Sequence, residues 1–351
     1  MKVAFPYLGY DTIALKKFVE LLGAESCLGP PLTARTLSLG TKYSPELICL
    51  PFKITLGNFI EALEAGADTL LMAAGARKCR FGYYHYLQEN ILKKIDNRHC
   101  FYAISQYTPY EFFFKKMPQI FGVTPQKVIY ATWLLLHYSA LIDYFRKLIR
   151  LTRAYNFYDA QKKELEALRI IENVSSFKEV QKAKKELRKI FSPIINTSNE
   201  IIRIGLVGEI YLMLEPFANY EIEKELGKLG VLVVSKRSLY RHLKHLLKLD
   251  LFDLRTISNA YKYLKDSPGG EAIKTVGEAH IFAKKNIDGI IHIYPFTCMP
   301  ENIAYEALQK LARDYEIPIL SISIDEHTSK TGLLTRLEAF VEVVKRKKFK
   351  G

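Results

Sequence analysis

Three of the five cysteines share one kind of local setting. Cys298 follows the apolar run Gly289-Ile290-Ile291-His292-Ile293-Tyr294 and precedes Met299-Pro300-Glu301, where proline suits a first helical position and glutamate a first turn. Cys49 leads through Leu50-Pro51-Phe52-Lys53 into a helix carrying Asn58, Ile60 and Leu63. Cys79, within Arg77-Lys78-Cys79-Arg80, comes shortly after a strand and opens a helix from Tyr83. Each thiol is therefore expected beyond a strand end or at a helix start, the side on which open α/β sheets bind ligands.

That address favours metal chemistry. Helix N-termini and the neighbouring cations Lys53, Arg77, Lys78 and Arg80 favour thiolate over thiol and compensate an anionic iron–sulfide core. Three soft thiolates suit an iron–sulfur cluster better than a hard cation, and a tetrahedral zinc site would need a fourth ligand that is not apparent. On a four-iron cluster, three protein thiolates leave one iron an exchangeable position, so that it can act as Lewis acid and electron carrier. The competing reading, in which each cysteine is a small buried hydrophobe, stays open on the residues alone. No CxxC pair occurs, which excludes a zinc ribbon or a ferredoxin-type run. Cys27, in a loop before Leu28-Gly29-Pro30, and Cys100, at the start of an apolar strand, lack the helix-start setting and read as structural. The shared setting predicts that the sulfurs of Cys49, Cys79 and Cys298 meet at one centre.

The elements that must position these residues alternate at both ends of the chain. Strands at 2–8, 69–74 and 100–105 and helices at 11–22, 54–65 and 83–94 imply a parallel sheet covered on both faces. Strands then vanish from about Thr108 to Glu200, and helical periodicity runs through 124–155 and 158–190. A second alternating region has strands at 201, 231–234, 289–294 and 318–324, helices at 219–227 and 301–314, and an amphipathic helix at 332–347. The expected fold class is α/β, with two Rossmann-like, flavodoxin-like parallel-sheet units and a long-helix insert. The expected domains are 1–110 with Cys49 and Cys79, 111–200 as the helical insert, and 201–351 with Cys298.

Composition bounds the rest. A hydrophobic fraction of 49% fits a folded globular chain, and the five cysteines argue against a disulfide framework. No apolar stretch reads as long enough to span a bilayer, and MKVAFPYLGYD lacks a signal-peptide core, so the expected location is cytoplasmic with no membrane association. A formal charge of +14 is concentrated at 146–189, 236–248 and 345–350. Solvated helix faces are the plainer account; a patch for a CoA phosphate, an acidic protein or nucleic acid is the other. The helix within Val234–Lys244 is basic and amphipathic but has no helix-turn-helix partner, which leaves nucleic acid the weakest of these.

At the cysteines the sequence resembles a known family. Cys49-Leu50-Pro51-Phe52-Lys53 with Gly57-Asn58 resembles the "CLPFK…GN" segment of proteins related to the 2-hydroxyacyl-CoA dehydratases and acyl-CoA dehydratase activases. Gly75-Ala76-Arg77-Lys78-Cys79-Arg80-Phe81-Gly82-Tyr83 is similar to their "G…CRFG-Y" segment, and Pro295-Phe296-Thr297-Cys298-Met299-Pro300 to their third cysteine motif. Asp325-Glu326-His327 and Thr335–Phe340 resemble the closing segment, while Gly208-Glu209-Ile210-Tyr211 and Gly269-Gly270-Glu271 are weaker matches.

The resemblance implies Cys49, Cys79 and Cys298 as ligands of one [4Fe–4S] cluster that receives low-potential electrons from an ATP-dependent, actin-like activator on a separate chain. It also implies an acyl-CoA or other small-molecule substrate and a homo- or heterodimer. The chain has no Gly-rich phosphate loop of its own, so it resembles the electron-accepting half alone. A double-cubane reductase is an alternative, but six thiolates would be needed and five cysteines are present. A non-catalytic cluster carrier, scaffold or sensor is another. The catalytic residues are not identified; Glu209, Glu301 and His327 follow strands or open helices and are carried as candidates near the open iron.

Overall fold

Apolar runs without polar alternation need helices over both faces, and Leu70, Leu71 and the strand Gly289–Pro295 are buried throughout. The computed structural model describes residues 1–73, 78–192, 201–247, 251–285 and 287–350, which divide into two compact units, Met1–Leu136 and His137–Gly351. The Gly75-Ala76-Arg77 part of the second cysteine motif and Lys248 of the basic stretch lie outside the described residues.

The first unit runs β1 (Lys2–Ala4), α1 (Asp11–Leu21), β2 (Glu25–Ser26), α2 (Ala34–Tyr43), α3 (Leu50–Glu64), β3 (Thr69–Met72), α4 (Phe81–Ile95) and β4 (Cys100–Ala103). A 3₁₀ turn, α5 (Pro109–Glu111), a π-helical turn (Phe112–Lys116) and α6 (Met117–Phe121) lead to α7 (Pro125–Tyr155), within which the unit ends. The second unit continues with α8 (Phe157–Glu172), α9 (Phe177–Phe191), β5 (Ile202–Gly208), α10 (Ile210–Leu214), α11 (Ile222–Lys228), β6 (Val231–Val234), α12 (Leu239–Leu246), α13 (Leu251–Ala260), α14 (Ala272–Ala283), β7 (Gly289–Pro295), α15 (Met299–Tyr315), β8 (Ile319–Ile324) and α16 (Lys330–Lys350).

Both sheets are four-stranded and parallel, in the orders β2-β1-β3-β4 and β6-β5-β7-β8. The two orders are the same, with the switch point between first and third strand of each unit. The likeness extends to the crossover helices. Gly57 on α3 passes so near α2 that a Cβ there would lie 1.8 Å from Thr36 O, and a Cβ on Gly277 of α14 would lie 2.0 Å from Thr256 O of α13. This aligns Thr55-Leu56-Gly57-Asn58 with Thr275-Val276-Gly277-Glu278, and Thr36 with Thr256 four residues before the small residues Gly40 and Ala260. The chain thus carries one supersecondary plan twice.

Three features depart from the sequence reading. No element is expected between Pro31 and Cys49, where the structure has α2; its start is fixed by Thr33, whose side chain accepts from Arg35 N while its own N–H donates to Thr36 Oγ1. The periodicity at 158–190 is two helices, because Ser176 caps α9 by accepting from Glu179 N. The helix α7 is, by length and composition, apolar enough to cross a membrane, with an 18-residue window of mean hydropathy 1.2, contrary to the expectation that no such stretch exists. Its charges gather at the ends, leaving 128–142 without Asp, Glu, Lys or Arg, and 56% of the apolar window is buried within the protein.

The basic stretch of α7 is likewise not a solvated face. Arg146, Arg150 and Arg153 are buried; Arg150 donates to both carboxylate oxygens of Glu223, and Arg153 to Glu164 at 2.7 Å. Part of the positive excess is therefore consumed in holding α7 to α8 and α11.

Candidate functional site

In the first unit, Cys49 is the N-cap residue of α3, with extended backbone, Pro51 in the first turn and no side-chain capping bond. The helix it opens is buried from Leu50 through Ala62, Lys53 included. The Cys49 Sγ lies 2.6 Å from Tyr84 Oη on α4, and Tyr84 packs edge-on against Phe52 and Phe81, at centroid distances of 5.0 and 5.3 Å. Cys79 is half-buried in the turn before α4, where Gly82 N donates to its carbonyl. The next residue, Arg80, donates from Nη1 to Leu47 O at 2.7 Å. The cysteine-bearing segments at 49 and 79 are thus joined twice, by Cys49–Tyr84 and by Arg80–Leu47.

Asn58 of the "GN" pair serves the scaffold. Its Oδ1 accepts from Tyr7 N and its Nδ2 donates to Leu28 O, stitching α3 to the loop after β1 and to the segment of Cys27. Cys27 itself reaches Ala65 O at 3.5 Å, and Cys100 is exposed at the start of β4. Neither stands at a helix start.

In the second unit, Cys298 is the buried N-cap residue of α15, again without a side-chain capping bond and with proline in the first turn. Its backbone is held by Asn302, whose N and Nδ2 both donate to Cys298 O at 3.0 and 2.9 Å. One position before Asn302, Glu301 is wholly buried, bonded through Oε2 to His292 Nε2 at 3.0 Å and through Oε1 to Thr275 Oγ1 at 3.1 Å. His292 continues through Nδ1 to Ser321 Oγ at 3.2 Å, and Arg237 Nη2 donates to Thr275 Oγ1 at 3.1 Å. A continuous polar network therefore runs across the carboxyl end of the sheet, from β8 through β7 and the first turn of α15 to α14 and the β6–α12 loop.

Glu209 borders this network. It follows β5, where a Cβ on Gly208 would lie 1.8 Å from Ile293 O, so only glycine lets β5 and β7 close at that point. Its carboxylate accepts from Tyr211 N and Leu212 N, both at 3.0 Å. Burial pushes its pKa up to about 7, helped by the negative charges of Glu301 and Glu271 and opposed by the two backbone donors. Glu209 can therefore exchange a proton near neutral pH.

Of the sequence candidates, Glu209 and Glu301 fall in one neighbourhood, whereas His327 does not. Its side chain is 85% exposed, with the Glu326 carboxylate 3.9 Å away. Tyr84, Thr275, His292 and Arg237 were missed; the one available signal was His292 itself, a polar residue inside an otherwise apolar strand. Among the described residues no group of three or more His, Cys, Asp or Glu stands ready to hold a metal ion. Cys49 and Cys79 belong to the first unit and Cys298 to the second. The donor chemistry suits an iron–sulfide core: two of the thiols are N-caps and the third lies in the turn before α4, settings that stabilise thiolate.

Residues 154–344 match the family 2-hydroxyglutaryl-CoA dehydratase, D-component, a span that holds the whole second sheet and Cys298. No curated protein matches the chain.

Proposed function

The chain belongs to the 2-hydroxyglutaryl-CoA dehydratase, D-component family, so it is a dehydratase component of the 2-hydroxyacyl-CoA type, and we propose that Cys49, Cys79 and Cys298 ligate one [4Fe–4S] cluster in it. The observation that carries this reading is the common address of the three thiols. Each stands where a helix begins after a strand or crossover, and Cys79 and Cys298 occupy the same place in the repeated plan, before the helix that follows the third strand.

The repeat also supports three thiolates rather than four. Aligned on Gly57 and Gly277, the position matching Cys49 is Gly269, with φ of +94°, in Gly269-Gly270-Glu271. The second unit thus has glycine where the first has a ligand. Cys27 and Cys100 lie away from these addresses, which favours a single over a double cluster.

When bound, such a cluster supplies a one-electron path and a Lewis-acidic iron. The chain's own contribution is separate. Helix N-termini at Cys49 and Cys298 and the buried cation Lys53 offset thiolate charge, Asn302 fixes the turn at Cys298, and Glu209 holds or releases a proton near neutral pH at the end of β5. Loss of water from a 2-hydroxyacyl thioester requires a proton for the departing hydroxyl, and a carboxyl with raised pKa is suited to provide one. Low-potential electrons come in this reading from an ATP-hydrolysing activator on a separate chain, in a reducing cytoplasm.

Anaerobic purification with iron and sulfide analysis and EPR tests the assignment. The expected content is about four iron and four sulfide per chain. Cys49→Ala, Cys79→Ala and Cys298→Ala should each lose most of the iron while Cys27→Ser and Cys100→Ser keep it. Equal loss from Cys27→Ser would overturn the ligand set.

A further inference from the structure

A glutamate three residues past an N-cap ordinarily does one of two things. It reaches back to the N-cap N–H in a capping box, or it lies in water beside the positive end of the helix dipole. Glu301, third after the N-cap Cys298 of α15, does neither. The Cys298 N–H donates to Pro295 O at 2.9 Å, and the Glu301 side chain is 1% exposed. A carboxylate taken out of water is costly unless it is paired and hydrogen-bonded. Among the described residues Glu301 pairs with His292 and with no lysine or arginine.

The repeated plan separates what the scaffold requires here from what has been added. In the first unit Thr55 of α3, the counterpart of Thr275, is tied to α4 by Gln88, whose Nε2 donates to Thr55 Oγ1 at 2.8 Å. In the second unit Thr275 is tied to α15 by Glu301 Oε1 at 3.1 Å. A neutral amide therefore suffices to join these two helices. The second unit uses a carboxylate instead, and places it in the first turn of the helix that Cys298 opens, whereas Gln88 lies further along α4.

The surrounding bonds hold Glu301 as an acceptor. Arg237 Nη2 donates to Thr275 Oγ1, which directs the threonine's own proton to Glu301 Oε1, and His292 Nε2 meets Oε2 at 3.0 Å. With both oxygens engaged inside the protein, the carboxylate cannot swing out to water. Its charge is felt along the carboxyl edge of the sheet. Burial chiefly, and the negative charge of Glu301 in addition, push up Glu209 after β5 and Tyr294 near the end of β7.

We propose, on the cluster reading given above, that Glu301 is a positioning residue acting through Cys298: its fixed negative charge makes the centre that Cys298 ligates harder to reduce. Reduction adds an electron to an already anionic iron–sulfide core, and the potentials of such cores follow nearby charge and hydrogen bonding. In a turn closed to water a carboxylate is weakly screened. A lower potential makes the delivered electron more reducing toward a thioester, and it accounts for a demand for electrons from ATP hydrolysis.

Anaerobic redox titration of the full chain, followed by EPR, tests this. At the parent's midpoint, Glu301→Gln should raise the ratio of reduced to oxidised cluster at least tenfold, which for one electron is a shift of about 59 mV. The amide is isosteric, and the network can reverse to satisfy it, the amide donating to His292 Nε2 while His292 Nδ1–H donates to Ser321 Oγ. Glu301→Asp keeps the charge and should stay within threefold of the parent. Glu306→Gln removes an exposed carboxylate from the same helix and should stay within twofold. A ratio within twofold of the parent for Glu301→Gln, or an equal rise in Glu301→Asp or Glu306→Gln, would overturn the proposal. A second measurement needs no variant: reduced-minus-oxidised infrared spectra of the unaltered chain, grown with ¹³C-glutamate, should contain a displaced glutamate carboxylate band, and its absence would also overturn the role. A parent chain without iron would sink the cluster reading and this role together. A parent that holds its cluster while Glu301→Gln leaves the ratio unchanged would sink this role alone.

Discussion

The Sγ of Cys49 lies 2.6 Å from the Oη of Tyr84, thirty-five residues along the chain and on a different helix. The contact locks the start of α3 to α4, while the ring packs against Phe52 and Phe81. Hydroxyl and ring can be separated by mutation. Tyr84→Phe should cost about 1 kcal/mol in urea unfolding, the net worth of one hydrogen bond, and Tyr84→Ala about 3–5 kcal/mol through the cavity it leaves. Equal costs for the two would mean that the ring contributes little.

The Glu301–His292 pair makes a second prediction. Both side chains are almost completely inaccessible, so removing one strands the other in the sheet. Glu301→Leu and His292→Leu should each destabilise by about 3 kcal/mol or more. The double variant should cost less than the sum of the two, by roughly 1 kcal/mol or more. Strict additivity in a denaturation cycle would exclude a direct interaction.

The repeated helix crossing gives the third. Gly57→Ala and Gly277→Ala would drive a methyl group into the backbone carbonyls of Thr36 and Thr256, and neither neighbour can swing aside. Each should lower stability by about 3 kcal/mol, the upper range for overpacking. Gly66→Ala is the contrast: its φ is +94° but nothing lies within 4 Å of the added carbon, so about 1 kcal/mol of backbone strain is expected. Thermal melts of the three variants, with Gly66→Ala losing as much as the others, would refute the crossing argument.

The helix-start address of Cys49 and Cys298 was legible because it is local: a cysteine, then proline within two residues, then helical periodicity; for Cys79 the periodicity that follows was the only such signal. The start of α3 was nevertheless read at Ile54, four residues late, since Pro51 and Lys53 look like loop residues until the helix is known to be buried on every side. The helix α2 was hidden by its composition, in which Thr36, Ser38, Gly40 and Thr41 are weak helix formers; close packing on α3 overrides that preference. The partners of the site were illegible for a different reason. Tyr84 is thirty-five residues from Cys49, and Thr275 twenty-six from Glu301, so only the fold makes them neighbours. The repeat also escaped the sequence reading, because it survives in four-residue fragments whose equivalence rests on shared crossings.

Glu209 supplies a pH prediction. Its pKa is about 7 in the folded chain against 4.5 for an ordinary glutamate, so between those values the native state holds a proton that the unfolded chain has released. Stability from this group is therefore complete below about pH 4.5 and falls as pH rises through 7, by roughly 3 kcal/mol. Glu209→Gln should flatten the decline between pH 5 and 8 in denaturant titrations. An unchanged slope would show that Glu209 is already ionised in the folded chain at pH 5.

The last prediction concerns electron supply. The cluster reading needs electrons at a potential that common cellular reductants supply poorly, and the family resemblance answers this with ATP hydrolysis on another chain. The isolated protein should therefore hydrolyse no ATP, and its cluster should be reduced only when a candidate activator and ATP are both present under anaerobic conditions. Basic residues at exposed positions, such as Lys182, Lys184 and Lys185 on α9, would speed encounter with an acidic partner by long-range attraction, which salt screens beyond about 10 Å at 0.1 M. The rate of reduction should then fall as salt rises from low to high concentration, while the final extent of reduction stays constant, because steering acts on association and not on the driving force. ATP turnover by the chain alone, once contaminating activity is excluded, would refute its place as the electron-accepting half. A rate indifferent to salt would keep that place and remove the exposed lysines from the encounter.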